Sequence, residues 1–65
     1  MAKAFTEEEK IIIHKEIVDK AYQLFKEMGY KSTTISRITD KAGIAKGSFY
    51  TFFDSKEVLF FYFPH

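Results

Sequence analysis

With 65 residues, a hydrophobic fraction of 46%, eight Phe and four Tyr, this chain is long enough for one small domain and too apolar for a disordered segment. It has no Cys and only two distant His, which excludes a disulfide framework and a zinc site and leaves helix packing to supply stability. The net charge of +1 does not announce a nucleic-acid partner, but its distribution is uneven: residues 1–30 hold five Lys against six acids, whereas residues 31–65 hold four Lys and one Arg against three acids.

Residues 1–5 show no periodic pattern and read as a mobile tail, with Lys3 a minor candidate for a basic arm. No basic-then-apolar leader pattern opens the chain. Its longest uninterrupted apolar run, residues 58–63, is far shorter than the roughly 20 residues of a spanning helix, so a cytoplasmic protein without a membrane segment is expected. Thr6 followed by Glu9 has the spacing of a capping box, and Glu7, Glu8 and Glu9 stand where a helix dipole favours negative charge. A first helix is predicted from there to Met28, because Ile13, Ile17, Ala21, Leu24, Phe25 and Met28 keep a three-and-four spacing, and Gly29 ends it. Ile11 and Ile12 fall partly outside that stripe. Either the stripe widens there or they meet something outside this chain. His14 is given no role.

After a short connection over residues 30–32, Thr33 or Thr34 caps a second helix in which Ile35, Ile38 and Ala42 share one face. Gly43 then supplies the positive φ with which helices commonly stop. A third helix fits from about Ala45 to Phe52. Its inward face holds Ala45, Phe49 and Phe52 or Phe53, and its outward face Lys46, Gly47, Tyr50 and Thr51. Two short helices around a Gly-containing turn read as a helix-turn-helix. Asp54 or Ser55 caps a fourth helix, and Asp54 with Glu57 has capping-box spacing, which accounts for that carboxylate pair without any catalysis. From there the chain is apolar on every side, and three helices of this size cannot cover such a segment.

The ordered set Ala21, Leu24, Phe25, Gly29, Tyr30, Thr33, Thr34, Ile35, Ile38, Ala42, Gly43, Ile44, Gly47, Ser48, Phe49, Tyr50, Phe53, Ser55, Lys56, Glu57 and Leu59 closely resembles the DNA-binding domain of the tetracycline-repressor (TetR) family of bacterial regulators. It covers about forty consecutive positions. The fold so implied is all-α: a three-helix bundle with a homeodomain-like helix-turn-helix and the start of a fourth helix. The resemblance divides the chain into a tail (residues 1–5), a DNA-binding unit (residues 6–54) and the start of a connecting helix (residues 55–65). That helix would lead to a ligand-binding and dimerisation domain not present here. The expected partners are double-stranded DNA with a palindromic operator, a second copy of the parent regulator, and a small-molecule effector held by the missing domain. A repressor released by its ligand is the implied role, with no cofactor.

By the same resemblance, Thr33 or Thr34, Tyr50 and Lys56 contact phosphates, and Ser36, Arg37, Lys46, Gly47 and Ser48 lie near bases, with Thr51 a weaker candidate. The chemistry of these residues suits the task. Lys46 reaches guanine edges or phosphate, Gly47 lets the backbone approach, Ser48 offers a hydroxyl and a helix-start N–H, and Tyr50 presents its OH one turn after Lys46. Each has a plainer reading: Thr33 and Thr34 as caps, Tyr50 as a ring packed over the turn. Lys56 at a helix start opposes the dipole, which favours an external anion. Two positions depart from the family: Ala45, where a capping Ser or Thr is usual, and Thr39, where Ala is usual. The rival reading is a helical protein-interaction module that uses the aromatic C-terminus. An enzyme is disfavoured, since no His lies near an acid at useful spacing and the GSF at 47 to 49 is not a GxSxG nucleophile elbow.

Overall fold

A computed structural model of the chain describes residues 5–63, and among them all regular structure is helical: α1 (Glu7–Ser32), α2 (Ile35–Ala42), α3 (Lys46–Phe52) and α4 (Lys56–Tyr62). The start of α1 is the expected reciprocal capping box, with Thr6 Oγ1 accepting the Glu9 N–H at 3.1 Å and Glu9 Oε1 accepting the Thr6 N–H at 2.9 Å. Of the expected tail, residues 1–4 lie outside the described residues. Phe5 does not behave as a tail residue: it is half-buried, its ring 6.0 Å from that of Phe52.

The end of α1 differs from the sequence reading. The regular helix breaks at Gly29 (φ 80, ψ 166), but one more helical turn, residues 30–32, follows before Thr33. Partners beyond the break make that turn stable. The Thr33 hydroxyl donates to Gly29 O at 2.8 Å, the Thr33 N–H donates to Tyr30 O at 3.2 Å, and Lys56 Nζ donates to the same Tyr30 oxygen at 2.9 Å. Carbonyls that a helix end leaves without partners are thereby satisfied.

Thr34, rather than Thr33, caps α2, accepting the Arg37 N–H at 3.1 Å. Gly43 closes α2 in the left-handed region (φ 73, ψ 32), its N–H donating to Asp40 O at 3.2 Å and that of Ile44 to Thr39 O at 3.0 Å. These two bonds form a Schellman motif, which turns the chain sharply into α3. Ala45 stands at the N-cap of α3 with no side-chain hydrogen bond, and it is exposed instead of facing inward as the pattern predicted. The predicted Asp54 and Glu57 box does not form. Ser55 is the cap of α4, accepting the Val58 N–H at 3.2 Å, because its extended backbone (φ −157, ψ 171) aims the hydroxyl back over the first turn.

The core is where the stripes meet. Ile17, Ala21 and Leu24 of α1, Ile38 of α2, Phe49 of α3, Phe53 just beyond it and Leu59 of α4 are buried, each contributing about 1.5–3 kcal/mol where a large side chain is fully enclosed. Thr39 is buried among them, its hydroxyl donating to Ser36 O at 3.1 Å, so the polar group costs little. Phe52 is half-buried rather than central, with His14 6.3 Å away; His14 itself stacks on Phe53 at 5.1 Å. On α4, Phe60 packs edge-on against Tyr30 and Phe25 at 4.8 and 5.4 Å, whereas Val58, Phe61 and Tyr62 remain exposed. Ile11 and Ile12 are likewise exposed, as their position off the stripe suggested.

Candidate nucleic-acid interface

Burial of Ile38 and Phe49 decides which faces of α2 and α3 point outward. The two helices pack on each other, α2 also rests on α1, and each has a single face left for a partner. On α3 that face carries Lys46, Gly47, Tyr50 and Thr51, all exposed. Lys46 and Tyr50 are four residues apart and therefore neighbours on it. Tyr50 satisfies both readings of its sequence position: its ring meets that of Phe49 edge-on at 5.5 Å, yet the residue remains 48% exposed. On α2 the outward residues include Ser36, Arg37, Asp40 and Lys41, with Thr34 exposed at the cap.

Electrostatics favour an anion here. Lys10 pairs with Glu7 and Lys20 with Glu16, both on α1, and among the described residues neither Arg37 nor Lys46 has a carboxylate partner. With Lys41, these are three cations on the outer faces of α2 and α3 without a carboxylate partner among the described residues, a chemistry that suits an anion.

Three residues expected at the interface have partners within the chain. Thr33 is completely enclosed, its hydroxyl committed to Gly29 O, which leaves Thr34 as the exposed member of the pair. Ser48 is half-buried, and its N–H, expected to be spare, donates to Ala45 O at 3.0 Å. Lys56 is also half-buried. Its ammonium lies 4.1 Å from the centre of the Tyr30 ring while donating to the Tyr30 carbonyl. Tyr30 was not singled out in the sequence as the partner of Lys56, since nothing local links residues 26 apart. Desolvation, and after it the carboxylate of Glu57, raises the Tyr30 phenol from its ordinary value. No helix among the described residues is long and apolar enough to cross a membrane.

Residues 17–63 match the family described as bacterial regulatory proteins, tetR family. Among similar proteins, the uncharacterized HTH-type transcriptional regulator YuxN of Bacillus subtilis (strain 168) is 43% identical over 53 residues, covering 82% of this chain and 16% of that protein. The HTH-type transcriptional repressor KstR2 of Rhodococcus jostii (strain RHA1) is 52% identical over 44 residues, covering 68% of this chain and 22% of that protein. The biofilm operon icaADBC HTH-type negative transcriptional regulator IcaR of Staphylococcus aureus (strain Newman) is 43% identical over 44 residues, covering 68% and 24%. The chain thus spans less than a quarter of the length of these relatives. No solved structure matches it.

Proposed function

This chain belongs to the tetR family of bacterial regulatory proteins, and we propose that it reads double-stranded DNA through the outward faces of α2 and α3. The observation that carries the proposal is that exposed Arg37 and Lys46, without a carboxylate partner among the described residues, are flanked by Thr34, Ser36, Gly47, Tyr50 and Thr51 on the helix-turn-helix. α3 enters the major groove with Lys46 and Gly47 leading, while Thr34 and Tyr50 hold phosphates and Ser36 and Arg37 lie beside bases. Ser48 contributes its hydroxyl only, given the internal bond of its N–H.

In a whole regulator, two such units would lie on a palindromic operator, joined by a dimerising domain that also binds a small effector, and binding would repress transcription. The names of KstR2 and IcaR, a repressor and a negative regulator, support the last step. The relatives' greater length supports the additional domain. Joining two units can raise affinity by about 10²–10⁴ through effective concentration, so the single unit binds weakly.

Fluorescence anisotropy of a labelled duplex at about 50 and 200 mM salt tests the interface. Binding falls steeply between the two conditions, and Lys46→Ala weakens it and makes the slope of log K against log salt shallower by about 0.9. Absence of binding at about 10⁻⁴ M by a chain with intact helical signal would refute the proposal.

Gly47 supplies a second test. Its φ is not positive and a Cβ built there meets nothing within 4 Å, so nothing inside the chain requires glycine. Gly47→Ala therefore stabilises the free helix by about 0.5–1 kcal/mol, as measured by denaturant titration. Affinity for the duplex nevertheless falls, because the added methyl keeps the backbone from the DNA. Equal or tighter binding by this variant would show that the start of α3 does not approach the duplex closely.

A further inference from the structure

Among the described residues each helix starts from a cap residue with extended backbone, but the starts are not held alike. In α1, α2 and α4 the hydroxyl of Thr6, Thr34 or Ser55 accepts the N–H of the third helical residue, Glu9, Arg37 or Val58, at 3.1, 3.1 and 3.2 Å. The carbonyl of the same cap residue accepts from four residues on, at Lys10, Ile38 or Leu59, which is α-helical winding from the first turn. α3 differs on both counts. Its cap is Ala45, which has no side-chain acceptor, and the Ala45 carbonyl takes the N–H of the third residue, Ser48, at 3.0 Å. That is 3₁₀ winding, a tighter turn with poorer hydrogen-bond geometry.

The residues of this turn give it little local support. Lys46 stands first, where a positive charge opposes the helix dipole, and the turn contains no acid. Gly47 follows, the residue type that loses most conformational freedom on ordering. What anchors α3 begins at Phe49, which is completely enclosed and whose carbonyl accepts the Phe53 N–H at 3.0 Å. Lys46 and Gly47 are exposed and Ser48 is half-buried, so the turn before Phe49 can open while the core stays closed.

We propose that the first turn of α3, residues 46–48, is largely open in the free chain and closes on the duplex, and that Ala45 is the positioning residue that sets this balance. The proposal rests on the DNA-binding reading above for what closes the turn, but the open turn can be observed without DNA. When only a fraction of free chains is competent to bind, apparent affinity falls by that fraction. A hydroxyl at residue 45 raises the fraction and adds no charge.

NMR on the 65-residue chain reads the turn directly, through the Cα shifts of Lys46, Gly47 and Ser48, with Ser36 and Arg37 at the capped start of α2 as the helical reference. In the free chain residues 46–48 show less than about half the helical displacement of that reference, and they reach it when duplex is added. Ala45→Ser moves the free shifts toward helical values and tightens duplex binding about 2–3-fold, leaving the salt slope near that of the unmodified chain. Fully helical shifts at residues 46–48 in the free unmodified chain, free shifts that Ala45→Ser does not move, or an affinity it leaves unchanged overturns the proposal. Should Ala45→Ser fail to fold, the shifts of the unmodified chain with and without duplex decide. If the unmodified chain binds no duplex, the DNA reading fails, and the open turn stands or falls on the shifts in the free protein.

Discussion

Phe49→Ala leaves most of this chain unfolded at 25 °C, as read by the loss of helical circular dichroism and of a cooperative denaturant transition. Phe49 is completely enclosed, with its ring 5.8 Å from that of Phe53 and 5.5 Å from that of Tyr50. Truncating a buried Phe costs about 3–5 kcal/mol, since the transfer free energy is lost and a cavity remains. A core of this size rarely supplies more than about 3–5 kcal/mol in total, and no disulfide holds the chain. The loss therefore matches the whole margin. The same substitution at Phe52, half-buried one turn along, costs distinctly less. A Phe49→Ala chain that still unfolds cooperatively, with less than about 1 kcal/mol of stability lost, would mean that α3 is held by something other than this ring.

The contrast between those phenylalanines shows what the sequence conveys and what it does not. Local rules were enough for some contacts whose partner lies within four residues, though not for the Asp54 and Glu57 box. The Thr6 and Glu9 box and the Gly43 turn follow from spacing. The outward set Lys46, Gly47, Tyr50 and Thr51 was equally accessible, because turning Phe49 inward fixes the rest of a single helical turn and a half. Where two adjacent residues offer the same chemistry, the choice belongs to the tertiary structure. Thr33 and Thr34 both carry hydroxyls, and burial against the Gly29 carbonyl claims one of them. Asp54 and Ser55 both cap well, and backbone direction after Phe53 selects Ser55. Lys56 is the extreme case, since its partner is remote in sequence and the dipole reasoning that pointed to an anion outside the chain is met equally well by a carbonyl within it.

Gly29→Ala destabilises the fold by about 2 kcal/mol, the largest effect expected from adding a single methyl group to this chain. Space is not the reason, because a Cβ built at Gly29 meets nothing within 4 Å. The cost lies in the backbone: φ 80 with ψ 166 is a conformation that L side chains avoid, and the chain cannot easily leave it. Returning residue 29 to helical angles would extend α1 straight on, withdraw its carbonyl from the Thr33 hydroxyl, and carry Tyr30 away from Lys56. Thr34 and the start of α2 would move with it, so the variant loses duplex binding together with stability. A D-alanine at the same position separates handedness from size, and a chain of 65 residues is within reach of chemical synthesis. Its side chain suits positive φ and restricts the unfolded chain, so it should stabilise by about 0.4–1 kcal/mol where L-alanine destabilises. Opposite signs in paired denaturant titrations mean that α1 ends, and the helix-turn-helix is oriented, by backbone handedness at one residue. Equal losses from both would place the constraint in the surroundings of residue 29 instead, and with it the reason that α2 begins where it does.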